Sequence, residues 1–152
     1  MSRLLRFVLL AALVVVFEAI TALLARALTV DGAERTAIEG LLRAEAAGDP
    51  RAMASRISGC PGSPACRTRV SQDAGELKHP GKLAILELNP SAGFSLSSTL
   101  GTARVAWRAG GSLPIVQCVR VRRAGNVLSG LHVELLKISR RIASNSDCPA
   151  TY

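Results

Sequence analysis

Aromatic residues are scarce in this 152-residue sequence, where they make up 3% of all positions. Beyond residue 28 only Phe94, Trp107 and Tyr152 are aromatic. Sheets that bind nucleic acid stack the bases on exposed aromatic rings, whereas Phe94 and Trp107 fall on the apolar positions of the strand pattern described below. We therefore expect no nucleic-acid partner, despite a formal net charge of +8.

Residue patterns of known catalytic or metal sites are also lacking. The serines have no Gly-x-Ser-x-Gly context, and no glycine-rich stretch is followed by the Lys-Ser/Thr of a phosphate loop. His79 and His132 stand alone in the sequence, and no cysteine pair has the spacing of zinc ligands. We accordingly predict no metal site and no cofactor.

The N-terminal segment carries the clearest positive signal. Two arginines precede eleven uninterrupted apolar residues, Phe7 to Phe17, which is the pattern of an export signal. Either a peptidase cleaves after Ala27, or Leu4 to Ala25 stays as a transmembrane anchor. Glu18 within that span costs roughly 2.5–3.5 kcal/mol, which about twenty mostly apolar neighbours can outweigh. We expect residues 1–28 to be a signal peptide or signal anchor, with the remainder outside the cell membrane or secreted.

Four cysteines follow this leader and would meet an oxidising compartment after export. Two disulfides are therefore expected, and three pairings are possible. Cys60 and Cys66 flank a turn-rich loop that contains two prolines and a glycine. We favour a local bridge between these two, which leaves Cys118 to pair with Cys148 and to tie back a C-terminal tail over residues 143–152.

Start and stop signals predict helices in the first half of the exported part. Asp31 and Glu34 have the spacing of a capping box, so we expect a helix to begin there and to end at Gly48. Asp49-Pro50 and Ser63-Pro64 each place a capping side chain before a proline at the first helical position. A short helix is predicted after each of these two pairs.

Beyond residues 79–81 the apolar residues alternate, which is typical of strands. Strands are predicted over residues 82–88, 94–100, 102–109, 115–122 and 127–138. The last of these is expected to bulge at Ser129-Gly130. The strand over 102–109 has apolar and polar faces, as a half-buried antiparallel strand does. The pattern predicts an α+β domain over residues 29–142, with helices packed on a curved antiparallel sheet.

This order of elements resembles a known fold. A first helix that ends in Ala-Ala-Gly-Asp-Pro at residues 46–50, a short second helix and a terminal meander of long strands resemble the cystatin-like cone of nuclear transport factor, ketosteroid isomerase and scytalone dehydratase. The resemblance covers roughly Asp31 to Ile138. It implies an apolar pocket between helices and sheet, and dimerisation through the sheet.

Three shorter runs are similar to a group of uncharacterised exported actinobacterial proteins. These runs are Thr102 to Trp107, Leu113 to Arg123 and Leu135 to Ser139, together with a late cysteine. The group carries no known function, so this second resemblance bears on the compartment alone.

Basic residues are concentrated late in the chain, where eight lie between Arg104 and Asp147 against two acidic ones. Arg104 and Arg108 share one strand face, and Arg120 and Arg122 share a face of the next strand. Adjacent strands would join these four arginines into a positive stripe. The leading interpretation is an ordinary solvated arginine face; the alternative is that the stripe binds an anionic lipid or envelope polymer.

Two functions from different classes remain open. The leading hypothesis is a non-catalytic envelope protein, tethered by its N-terminal helix, whose exported domain binds a small ligand or a partner such as a second copy. The alternative is a lyase or isomerase of the ketosteroid-isomerase type, with His132 and Glu134 as the acid/base pair and a hydrophobic small molecule as substrate. That alternative requires the pair to line an enclosed cavity within hydrogen-bond reach of each other.

Overall fold

The computed structural model describes the backbone of residues 3–91, 98–126 and 130–150. Within these ranges it describes all side chains except those of residues 3–4, 23, 26–30, 98, 125–126 and 130–131. Helices and a single antiparallel sheet follow one another along the chain, so the predicted α+β class is confirmed.

The first helix, α1, comprises Arg3–Ala47 and has 45 residues. The prediction that a helix begins at Asp31 is therefore wrong. No proline precedes residue 50, so nothing interrupts the helical hydrogen bonds that continue from the apolar segment. α1 ends as predicted at Gly48, whose φ of +70° is the left-handed conformation that glycine adopts most readily.

Two further helices follow, and both begin at the predicted caps. α2 comprises Pro50–Arg56, and the Asp49 carboxylate accepts hydrogen bonds from the first backbone N–H groups of this helix at 2.9 and 3.0 Å. A 3-10 turn over Cys60–Gly62 leads to α3, which comprises Pro64–Glu76. The Ser63 hydroxyl accepts from a backbone N–H in the first turn of α3 at 3.3 Å.

The four strands form an antiparallel meander in the order β1-β2-β3-β4. Their bounds are Leu83–Asn89 for β1, Ser98–Ala109 for β2, Ile115–Asn126 for β3 and Gly130–Ile138 for β4. Each hairpin brings consecutive strands together, so the curved sheet has β1 and β4 at its edges.

Two strand predictions fall partly outside the described residues. Of the strand expected over 94–100, residues 94–97 lie outside them, and Ser98–Leu100 form the start of β2 rather than a separate strand. Of the bulge expected at Ser129-Gly130, Ser129 lies outside them and β4 begins at Gly130. A register shift occurs elsewhere in this hairpin, between Arg120 and Val121.

The core lies between the inner face of the sheet and the second half of α1. Every second residue of β2 from Ala103 to Ala109 is buried, as the alternation predicted, and Trp107 is fully buried. Ile38, Leu41 and Leu42 of α1 pack against this face and are also fully buried. Removing a large side chain such as Trp107 from a core of this kind costs about 3–5 kcal/mol.

Both predicted disulfides are present. Cys60 and Cys66 are joined across the 3-10 turn, with a Cα–Cα distance of 5.2 Å, and Cys118 is joined to Cys148 at 5.8 Å. Directly before the tail, the backbone N–H of Ile142 donates a hydrogen bond of 2.8 Å to the Val116 carbonyl of β3. The C-terminal tail is thus held against the sheet.

The first half of α1 differs from everything that follows. Residues Leu5–Ala22 are mostly apolar over 18 positions, with Arg6 and Glu18 as the two charged residues, and none of that stretch is buried within the molecule. At 1.5 Å per residue it extends about 27 Å, close to the thickness of a bilayer's hydrocarbon core. By length and composition this stretch could cross a membrane or serve as a signal sequence.

Candidate functional site

The outer face of the sheet carries the predicted arginines. In the strand register Arg120 of β3 lies between Thr102 of β2 and Lys137 of β4. Arg104 pairs with Cys118, the same-face neighbour of Arg120, so Arg104 and Arg120 occupy diagonal positions about 7–8 Å apart. We call Arg104, Arg120, Arg122 and Lys137 the basic face.

The predicted stripe is only partly continuous. Arg108 lies at the other end of β2, opposite Ala84 of the edge strand β1, and is separated from the basic face. Arg104 donates a hydrogen bond to the backbone carbonyl of Ser144 in the tail. The tail therefore covers the sheet around Arg104 and Cys118. Of the other three cations of the basic face, Arg122 and Lys137 are exposed and Arg120 is half-buried.

Few acidic groups balance these cations. Arg122 forms an ion pair with Glu134 at 2.9 Å, and its side chain remains 44% exposed. Among the described residues, no ion pair involves Arg120 or Lys137. The basic face thus keeps a net positive charge on solvent-facing strands, which suits an anionic ligand.

His132 and Glu134 lie on this same open face. Their side chains are 60% and 34% exposed, and His132 Nε2 is 3.7 Å from Glu134 Oε1. That separation is longer than a hydrogen bond, and the nearer partner of Glu134 is Arg122. The pair is not enclosed, so its geometry does not meet the requirement of the enzymatic alternative.

A second polar group lies inside the core, and the strand pattern did not point to it. Trp107 Nε1 donates to Gln117 Oε1 at 2.7 Å, and Gln117 Nε2 donates to Glu45 Oε1 at 2.8 Å. Gln117 Nε2 also lies 3.2 Å from the carbonyl oxygen of Ser139. Gln117 lies between Ile115 and Val119 on the inward face of β3. The alternation of the strand therefore places a polar side chain in the core, and this was the sequence signal that could have identified Gln117.

The Glu45 carboxyl at the end of this chain of hydrogen bonds is fully buried. Burial raises its pKa to about 8, although the hydrogen bond from Gln117 lowers it and the nearby Asp73 adds to the rise. Its second oxygen, Oε2, has no hydrogen-bond partner. Glu45 is consequently protonated in most molecules at neutral pH, and no described cavity opens onto it.

Asp73 of α3 is the second buried acid of this region. Burial raises its pKa to about 6; Arg69 opposes the rise, Glu76 adds to it and Arg140 opposes it. Asp73 Oδ2 has no hydrogen-bond partner either. Two carboxyl groups that disfavour ionisation therefore share the space between α1 and α3.

A third polar cluster joins α1 to the other end of the sheet. Glu34 is fully buried and accepts three hydrogen bonds, from the backbone N–H of Ser91, the hydroxyl of Ser91 and Nε of Arg123, at 2.7–2.8 Å. Arg123 also pairs with Asp31 at 2.8 Å. The two acids that suggested a capping box instead hold α1 to β3.

No family model, curated protein or solved structure matches the chain significantly. The resemblances to the cone fold and to the exported actinobacterial group stay predictions. Functional inference consequently rests on the residues and contacts described above.

Proposed function

We propose that this protein is a non-catalytic envelope protein, with its N-terminal helix in the membrane and a disulfide-stabilised domain outside, and that the domain's basic face binds anionic lipid headgroups. The proposal combines three features of the chain: the exposed apolar segment, the two disulfides and the cations of β3 and β4. Each supports a different part of it.

The observation that carries the tether is the exposure of Leu5–Ala22, none of which is buried. A soluble helix exposes one polar face, whereas this stretch exposes large apolar side chains and has only two charged residues, Arg6 and Glu18. Phe7, Leu13 and Phe17 are each at least 68% exposed. Such a surface is stable when lipid replaces water around it. Because α1 continues unbroken into the core, the same helix would fix the domain to the membrane.

The disulfides support an extracytoplasmic location, because cytosolic thiols are kept reduced. The described chain has no unpaired cysteine. Two arginines before the apolar segment would stay in the cytoplasm and place the domain on the opposite side.

The position of the basic face favours lipid headgroups over a distant polymer. Asp31, which pairs with Arg123, stands nine residues after Ala22, or about 14 Å along the helix axis. The headgroup layer is about 5–7 Å thick on each side of the hydrocarbon. Arg122 neighbours Arg123 on the opposite sheet face, so it would lie a short distance above that layer, where electrostatic attraction is still felt.

Membrane fractionation tests the tether. The full chain, expressed with its leader, should stay in the membrane pellet after alkaline carbonate extraction, with an intact N-terminus by mass spectrometry. The double variant Leu10→Arg/Val14→Arg should leave the pellet, because each arginine adds roughly 2.5–3.5 kcal/mol to the insertion free energy. Ala33→Arg, at an exposed site of the same helix, is the matched control. A wild-type chain found cytosolic, with four free thiols, would contradict the proposal.

Reconstituted vesicles test the basic face in the same full-length protein. Hydrogen exchange of β3 and β4 should be slower in vesicles with anionic lipid than in neutral ones, and added salt should abolish the difference. Arg120→Gln/Arg122→Gln should remove the protection, whereas Arg108→Gln should not. Equal exchange of the wild type in both vesicles would exclude lipid headgroups as the ligand.

A further inference from the structure

A groove lies on the opposite side of β4 from β3, where this edge strand meets the turn between α2 and α3. It encloses about 440 Å³, within the range of small-molecule sites. Its apolar walls are formed by Ile57, Leu136, Ile138 and the Cys60–Cys66 disulfide. The bridge between Ile57 and Leu135 closes one end, with a hydrogen bond of 2.7 Å from Ser58 N–H to the Leu135 carbonyl.

Two cations flank these apolar walls. Arg69 reaches the groove from α3 and Lys137 from β4, and among the described residues that line it there is no Asp or Glu. The groove therefore combines an apolar floor with positive charge and lacks an acidic counterpart. This combination is complementary to a molecule that has one anionic end and an apolar body.

Among the described residues, the Arg69 guanidinium has no ion pair. Its Nη1 is buried and has no hydrogen-bond partner, although a buried donor without a partner costs about 1–3 kcal/mol. Asp73, one helical turn further along α3, is the acid that interacts with Arg69, but among the described residues the two form no ion pair. Asp73 is buried on the core side and does not line the groove.

We infer that this groove binds a single-chain amphiphilic carboxylate, such as a medium-chain fatty acid, with the carboxylate on Arg69 and the alkyl chain along Ile57, Leu136 and Ile138. The planar guanidinium presents paired N–H groups that match a carboxylate. Each buried methylene of the chain adds about 0.8 kcal/mol. The volume suits one alkyl chain rather than a two-chain lipid. The inference rests on Arg69, which is not part of the basic face; Lys137 belongs to that face and also lines the groove.

Site-specific photo-crosslinking tests this site in the full-length protein in neutral nanodiscs. The probe is octanoate with a terminal diazirine, and crosslinked peptides are mapped by mass spectrometry. We expect crosslinks in the two segments that form the walls, residues 57–66 and 135–138. Unlabelled octanoate should compete, while octanol and acetate should compete at least about tenfold less well, because one lacks the charge and the other the chain.

Variants separate the contribution of each cation. Arg69→Gln should weaken octanoate competition about tenfold or more, and Arg69→Lys should restore part of the loss, since it keeps the charge without the fork. Lys137→Gln should weaken competition by a few-fold. Arg108→Gln, on the far side of the sheet, is the matched control, and the unchanged Trp107 fluorescence of each variant reports intact folding.

Several results would overturn the inference. Crosslinks outside the two wall segments would show that the amphiphile binds elsewhere or only partitions into the bilayer. Equal competition by octanol would show that charge plays no part, and a folded Arg69→Gln variant with wild-type competition would exclude Arg69. Arg120→Gln/Arg122→Gln should leave the crosslinks unchanged, so failure of this site and failure of the lipid-binding face are distinguishable.

Discussion

Glu34 and Glu45 stand eleven residues apart on α1, close to three helical turns, so they lie on nearly the same side of the helix. Both side chains are fully buried. Glu34 accepts three hydrogen bonds, one of them from the cation Arg123, whereas Glu45 accepts one from the neutral Gln117 and keeps an oxygen without a partner. Because both acids are equally buried, the hydrogen-bond donors around each one, rather than its burial, decide how it contributes to the stability of the fold.

The two acids also hold different parts of the molecule. Glu34 joins α1 to β3 and to Ser91 on the side of the domain nearest the exposed apolar segment. Glu45 ends the buried hydrogen-bond chain through Gln117 to Trp107, at the far end of α1. A substitution of Glu34 tests how much its ion pair with Arg123 stabilises the fold. A substitution of Glu45 tests how the stability depends on the protonation of a buried carboxyl group.

The largest effect is expected from Glu34→Gln. This change leaves the half-buried Arg123 guanidinium with Asp31 alone, and breaking a buried charge pair costs about 3–5 kcal/mol. Urea unfolding of the full chain in nanodiscs, followed by the fluorescence of Trp107, the one tryptophan, measures the loss. Glu39→Gln is the control, because its exposed pair with Arg43 contributes at most about 0.5 kcal/mol. Equal losses in both variants would show that the Glu34 contacts add no special stability.

A smaller effect on stability is expected at Glu45. Most acids in proteins stabilise the fold when ionised, whereas Glu45 stabilises it when protonated. Because its pKa rises on folding from 4.5 to about 8, its protonated form favours the folded state. Stability is then full below about pH 4.5 and is lost as the pH rises towards 8, by on the order of 3 kcal/mol at pH 7. Asp73, raised from 3.8 to about 6, adds to the lower part of this range.

Glu45→Gln should remove most of the loss of stability between about pH 4.5 and 8, because the amide does not ionise. Asp73→Asn should remove only the additional loss between about pH 4 and 6 and leave the loss that Glu45 causes. The measurement is the free energy of unfolding at several pH values, again from Trp107 fluorescence. Wild-type stability that increases from pH 6 to 8 would contradict the assignment of Glu45 as a neutral acid.

The smallest effect concerns the close approach that satisfies Glu34. A Cβ on Gly101 would lie 2.5 Å from Cβ and 3.3 Å from Cα of Ser91, so Gly101→Ala should displace Ser91 from Glu34 and cost roughly 1–3 kcal/mol. Gly32→Ala, where a Cβ meets nothing within 4 Å, should instead stabilise α1 by up to about 1 kcal/mol. If both substitutions change the free energy of unfolding in the same direction, the contact between Ser91 and Glu34 does not stabilise this end of the sheet.

Much of the fold could be predicted because its signals are local. The caps at Asp49 and Ser63, the glycine at the end of α1 and the alternation of β2 each depend on neighbours within a few residues. The start of α1 could not be predicted, because the spacing of Asp31 and Glu34 suits a capping box and a pair of tertiary contacts equally well. The sequence alone does not show that Glu34 lies next to Arg123, which is 89 residues further along the chain.

The candidate sites were less predictable for the same reason. The basic face could be predicted from the alternation of residues along the strands. That the tail contacts Arg104 and covers part of this face could not, because it depends on where the tail crosses the sheet. Gln117, Glu45 and Asp73 come from three separate elements, and nothing in their spacing links them. The groove at Arg69 exists because the α2–α3 turn packs beside β4, a contact between residues about 70 positions apart in the chain.

The sequence by itself determined the apolar segment and the alternation of the strands, and it favoured the observed cysteine pairing among three, since these depend on composition, on a period of two and on chain proximity. Only the tertiary structure decided which buried acids are matched by cations and which are left protonated. Packing brings together groups that are distant in sequence, and the free energy of a buried charge depends on the atoms within a few ångströms of it.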